Sequence, residues 1–197
     1  MQKGHRLSFF RSRRLSRQEG FFDSYFDELS IRLRDASVEQ LNDLFQAFGG
    51  ARDKGGKVIL VGNGGSAAIA SHVAVDLTKA ARVRAINFNE ADLITCLGND
   101  YGYENWMAKA LEFYSDSGDI AVIISSSGQS QNVVTGAKAA RELGLQVVTL
   151  SGFQATNPLR KLGDLNLWVN SETYNVVETT HQSWLLAVID RLVEAGQ

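Results

Sequence analysis

The chain has 197 residues, 44% of them hydrophobic and 21% charged, with a net charge of −2; that mix supports one sizeable core, and one domain before two. No apolar run approaches the roughly 20 residues that cross a bilayer and no secretory signal core opens the chain, so the body is expected in the cytoplasm and off the membrane. Cys96 is the only cysteine, which excludes an intramolecular disulfide and a cysteine-based zinc cluster, and the near-neutral charge argues against general attraction to nucleic acid.

Residues 1–18, MQKGHRLSFFRSRRLSRQ, carry Lys3, Arg6, Arg11, Arg13, Arg14 and Arg17 with no acid before Glu19. Such a composition is shared by organelle transit peptides, but a disordered basic arm is the plainer expectation, and no function is assigned to it. Residues 19–197 are expected to form the single domain. The stretch FFDSYFDELSIRLRDASVEQLNDLFQAFGGARDKGG has apolar residues at helical spacing, interrupted near Asp35–Ser37, and predicts two helices ending in glycines.

KVILVG, RVRAIN, DIAVIIS, LQVVTLSG and LNLWVN follow as short β-branched runs separated by stretches of helix length. That alternation predicts a parallel sheet covered on both faces. NVVETTHQSWLLAVIDRLVEAG closes the chain as a long amphipathic helix. Trp106, Trp168 and Trp184 fall in these patterns as core or subunit contacts, and Cys96, in ADLITCLG, reads as a buried small hydrophobe.

Two loops carry the chemistry. After the first strand, GNGG forms a turn and Ser66 opens a helix; Gly62, Gly64 and Gly65 let the backbone approach a ligand, and the helix N-terminus favours an anion. After the third strand, SSSGQS clusters Ser125, Ser126, Ser127 and Ser130 around Gly128, hydroxyls that can surround phosphoryl oxygens without a lysine. The loops lack the Gly-Lys-Ser/Thr ending of a nucleotide P-loop and the full GxGxxG spacing, so no nucleotide cofactor is expected. A neutral cradle suits a sugar phosphate. Beyond it, His72 and Asp76 lie one helical turn apart, as do Glu178 and His181 at i,i+3. Each pair fits an acid–base pair, a metal site or an ordinary surface hydrogen bond.

GNGGSAA with SH, CLGNDYGYE, ISSSGQSQNV with AARELG, and a closing E-x-x-H helix together resemble the sugar isomerase (SIS) domain, in its phosphoheptose isomerase branch, over roughly residues 20–195. The resemblance implies an α/β fold, a three-layer αβα sandwich with a five-stranded parallel sheet of flavodoxin-like type and added N-terminal helices. It also implies a homotetramer with sites where subunits meet, a possible divalent metal, zinc, and interconversion of sedoheptulose 7-phosphate and D-glycero-D-manno-heptose 7-phosphate for bacterial surface polysaccharide such as lipopolysaccharide. Moving a proton between adjacent carbons through an enediol needs a base near both carbons and a group that polarises the carbonyl.

Carried over residue by residue, the resemblance gives Asn63, Gly65, Ser66, Ser125, Ser126, Ser127 and Ser130 to the phosphate and its neighbouring hydroxyls, and Asp100 to the sugar. His72 matches a zinc-binding histidine, Asp76 stands where the family has a catalytic glutamate, and Glu178 replaces a glutamine ligand. Leu186 replaces a histidine that is both acid–base group and ligand, and Ile69 and Asn175 replace aspartates. The expectation that follows is a divergent isomerase in which Asp76, Glu178 and His181 serve catalysis and His72, Asp76, Glu178 and His181 hold the metal. The alternatives are an isomerase of another phosphosugar and a non-catalytic SIS domain that senses a sugar phosphate or docks a partner, of the replication-initiator-associating type.

Overall fold

The computed structural model describes residues 20–196, so the basic arm lies outside the described residues. Two helices lead, α1 (Phe21–Arg32) and α2 (Val38–Asp53). They separate at the predicted break because Ser37 starts a new helix with a capping box: its hydroxyl accepts from the Gln40 N–H at 3.2 Å, and the Gln40 side chain accepts from the Ser37 N–H at 3.0 Å. The second helix ends at Asp53, just before the closing glycines as expected, and runs straight through Gly49 and Gly50 on the way. Phe48 and Ala51 flank the pair and are buried, so packing holds the glycines helical, and the chain turns only at Gly55.

The body then alternates: β1 (Val58–Gly62), α3 (Gly65–Lys79), β2 (Ala85–Asn87), α4 (Ala91–Tyr101), α5 (Trp106–Tyr114), β3 (Ile120–Ser125), α6 (Gln131–Glu142), β4 (Gln146–Ser151), a 3₁₀ turn at Leu159–Lys161, β5 (Leu165–Trp168) and α7 (Tyr174–Ala195). All neighbouring strands are parallel, in the order β2-β1-β3-β4-β5. This is the parallel sheet covered on both faces that the strand pattern predicts, in the flavodoxin-like form that the family resemblance implies.

Strand residues alternate between two cores as the period-2 pleat requires. Val58, Leu60, Val122, Ile124, Val148 and Leu150 face α2, α3 and α7. Ile59, Val61, Ala121, Ile123 and Val147 face α4, α5 and α6. At the N-terminal end of the sheet, the buried Lys57 ammonium pairs with Asp116 at 2.6 Å and Asp119 at 2.5 Å, and Asp119 also accepts the Lys57 backbone N–H at 2.8 Å. This cluster pins the starts of β1 and β3 side by side.

Trp106 and Trp184 are buried as expected, and the Trp184 indole donates to the Leu33 carbonyl at 3.0 Å, joining α1 to α7. Trp168 is half-buried under the Arg160 guanidinium, 4.7 Å from its ring. Cys96 corrects its expectation: it is exposed, because α4 is a surface helix that buries only Leu97, and the residue before Leu97 points well away from that contact. Among the described residues no helix is long and apolar enough to cross a membrane.

Candidate functional site

β1 feeds α3, which packs on one face of the sheet, whereas the adjacent β3 feeds α6, which packs on the other. The chain therefore diverges between neighbouring strand ends, and a crevice opens at this switch point, where ligands of open α/β sheets bind. Both predicted loops meet there. Gly62 pairs in register with Ile124, which places the GNGG turn beside the serine loop.

Both helices start without a side-chain cap. Gly64 precedes α3 at φ 53, a conformation that favours glycine, and Ser130 precedes α6. The first N–H groups of α3 and α6 are thus left for a ligand, and the two positive helix ends reinforce each other toward an anion. Ser66, Ser125 and Ser126 are buried, and Ser127 and Ser130 half-buried. Ser125 and Ser127 brace their own loop, accepting from the N–H groups of Gly128 (3.2 Å) and Gln129 (3.3 Å). Ser126 Oγ is buried and makes no hydrogen bond of regular geometry among the described residues.

Asn63 is held more firmly than the sequence foretold. Its amide exchanges two hydrogen bonds with that of Asn132, Asn63 Nδ2 to Asn132 Oδ1 at 3.0 Å and Asn132 Nδ2 to Asn63 Oδ1 at 2.9 Å, and the Tyr103 hydroxyl donates to Asn63 Oδ1 at 3.2 Å. Asp100 is exposed and accepts from the Asn99 amide at 2.8 Å, and the same segment also brings the Tyr103 hydroxyl to the cradle.

A groove between α3 and α7 continues from the cradle. Glu178 lies directly over Gly65, where any side chain would strike its carboxylate. Burial pushes the Glu178 carboxyl above its ordinary range, and the Ser126 hydroxyl opposes that rise. Glu178 lines a depression of about 270 Å³ with Gly65, Ala68, Asn175, Thr179 and Gln182. One turn farther along α3, His72 Nε2 lies 3.1 Å from Asp76 Oδ2, and Gln182 Nε2 lies 2.9 Å from His72 Nδ1. Gln182 was not foreseen, although its i,i+4 spacing from Glu178 puts both on one stripe.

His181 corrects its expectation. It is fully buried, and its Nε2–H donates to the Ser151 carbonyl at 3.0 Å. Burial drives its pKa down to about 4, so the ring is neutral, with Nδ1 unpartnered among the described residues. The reason is visible in α7: Val177, Leu185, Val188 and Leu192 form the core stripe at helical spacing, and His181 occupies the slot between Val177 and Leu185. Leu186 is half-buried against the same core, and Ile69 is buried.

The four residues expected to hold a metal do not converge. Both His72 nitrogens are engaged, His181 is turned into the core, and no three of the described His, Cys, Asp and Glu residues cluster as metal ligands. This donor set does not fit a zinc site.

The SIS domain family model matches residues 20–152. A phosphoheptose isomerase of Enterobacter sp. (strain 638) is 39% identical over 131 residues, 64% of this chain and 65% of the relative. One from Syntrophotalea carbinolica is 31% identical over 179 residues, 86% of this chain and 90% of the relative. The structure of phosphoheptose isomerase GmhA from Neisseria gonorrhoeae superposes with a TM-score of 0.81 at 27% identity, over 90% of this chain and 98% of that one. The match in both sequence and strand topology, together with the two loops at the switch point, means that the chain belongs to the SIS domain family, in its phosphoheptose isomerase branch.

Proposed function

We propose that the chain is an aldose–ketose isomerase that interconverts sedoheptulose 7-phosphate and D-glycero-D-manno-heptose 7-phosphate. The observation that carries the chemistry is Glu178, a partly buried carboxyl of raised pKa lying over the first turn of α3, next to the anion cradle. A phosphate seated on the N-termini of α3 and α6 anchors the sugar, and its carbon chain extends along the groove toward Glu178. A carboxylate whose pKa is lifted toward neutrality can take a proton from one carbon and return it to the next, passing through the enediol.

Asp76 supplies the second carboxylate. The His72 Nε2–H fixes one of its oxygens and leaves the other to exchange a proton with a sugar hydroxyl. The donor set of this chain does not fit a zinc site, and the proton transfers are assigned to its carboxylates. Assembly into a homotetramer with sites at subunit contacts is supported by α1, which buries none of its residues and exposes Phe21, Phe22 and Phe26. A role in bacterial surface polysaccharide rests on the family resemblance.

The test is incubation with sedoheptulose 7-phosphate in deuterated water, followed by NMR. The expected result is heptose 7-phosphate carrying deuterium at the carbon that exchanged. Binding of the sugar phosphate with neither product nor exchange would overturn the assignment and leave a non-catalytic sensor.

A further inference from the structure

The reciprocal amide pair between Asn63 and Asn132 joins the two halves of the cradle. Asn63 belongs to the turn after β1, and Asn132 to the first turn of α6 after β3. Their bonds of 3.0 and 2.9 Å span the crevice between the strand ends. Asn132 is 3% exposed and belongs to the core around the helix start, whereas Asn63 is half-buried and borders the opening. A third segment, the loop between α4 and α5, brings the Tyr103 hydroxyl onto Asn63 Oδ1.

A carbonyl oxygen has two lone pairs and an amide nitrogen two hydrogens. Here both lone pairs of Asn63 Oδ1 are taken, by Asn132 and Tyr103, and one Nδ2 hydrogen is taken by Asn132 Oδ1. The single group left over on the side chain is one N–H. It is presented beside the free N–H groups of α3, so an oxygen acceptor of an anion is what it can bind.

We infer that Asn132 and Tyr103 are positioning residues for phosphosugar binding, fixing Asn63 as a hydrogen-bond donor to the phosphate and setting the width of the cradle between the two helix starts. The inference rests on the phosphosugar assignment. Neither residue has to touch the ligand; each acts through Asn63.

Calorimetric titration with sedoheptulose 7-phosphate, and with inorganic phosphate, tests this on the wild type, Asn63→Ala, Asn132→Ala, Tyr103→Phe and the doubles of Asn63→Ala with each. Loss of one positioned bond to a charged group weakens binding about tenfold for Asn132→Ala, and loss of the outer brace about threefold for Tyr103→Phe. KM should rise in parallel while kcat stays within about twofold. The decisive expectation is non-additivity: in the Asn63→Ala background neither second substitution weakens binding further.

Additive losses in the doubles, or unchanged affinity in both single variants, would overturn the inference. If Asn132→Ala does not fold, the Tyr103→Phe cycle decides alone, since Tyr103 is exposed and its ring is kept. A wild type that binds neither sedoheptulose 7-phosphate nor phosphate would instead overturn the phosphosugar assignment, and this inference with it.

Discussion

Gln182 on α7 reaches His72 on α3, with Nε2 2.9 Å from His72 Nδ1. The other ring nitrogen lies 3.1 Å from Asp76 Oδ2. A carboxylate only accepts, so a neutral His72 must carry its proton on Nε2 and take a hydrogen bond from the Gln182 amide at Nδ1. ¹⁵N-detected NMR of labelled protein should show His72 in this single tautomer, and Gln182→Leu should give a mixture. A mixture already present in the wild type would show that Gln182 does not hold the ring.

The same geometry bears on metal. With both imidazole nitrogens engaged, protein purified without added metal should contain zinc well below one atom per chain, and turnover should survive a chelator. One zinc per chain that is lost in His72→Ala would show that the groove repacks around an ion.

Proton transfer by Glu178 predicts that Glu178→Gln lowers kcat by roughly 10²- to 10⁴-fold, and Asp76→Asn comparably, with thermal stabilisation by the phosphosugar retained. As a base, Glu178 must be ionised, so turnover falls as pH drops through its pKa. Burial raises that value, so the acid limb of kcat/KM should lie above the ordinary carboxylate range. Wild-type rates in both variants would remove these carboxylates from the mechanism.

Gly65 has no Cβ because the Glu178 carboxylate occupies that space. Gly65→Ala should therefore displace Glu178 and depress kcat about a hundredfold, in the range of a lost acid–base group. Its position at the start of α3 tolerates alanine, so the melting temperature should change little. Equal turnover in Gly65→Ala would show that the reacting group lies elsewhere in the groove.

His181 predicts an acid-sensitive fold. Its pKa falls from the usual 6.5 to about 4 on folding. Between those values the unfolded chain binds a proton that the native state refuses, so stability declines as pH drops from 6.5 toward 4, by about 3 kcal/mol in total. Denaturant titrations at pH 7 and pH 4.5 should show this loss, and His181→Gln should shrink it. An unchanged pH dependence in the variant would assign the acid sensitivity to other groups.

The fold was open to a reader of the sequence because its strands are short β-branched runs, and the pleat has little choice once both faces are buried. All five runs became strands, and the loops at the ends of β1 and β3 met as their positions foretold. What stayed hidden was the direction of single side chains. Glu178 and His181 share an i,i+3 spacing, yet one faces a groove and the other fills a core slot, and only the apolar series from Val177 to Leu192 distinguishes them. Asn132, Tyr103 and Gln182 escaped notice because amides and phenols are common on helix starts and loops. Their partners are distant in sequence, and the distance is closed only by the crossover connections. Cys96 was misplaced because an apolar stretch says that a helix has a buried side, not which residue lies on it.

The Lys57 cluster sits at the opposite end of the sheet from the cradle, and the crossover from β1 to β3 runs through everything between Gly62 and Ile120. Half of the anion site is thus encoded before the segment around Asp116 and half after it. A chain severed there yields two fragments, each holding one helix start and one partner of the Asn63–Asn132 pair, and neither holding a site. Ligand affinity in a mixture of the two fragments would report directly on how completely β1 and β3 find each other, with the Lys57 ion pairs drawing the strands into register from the far end.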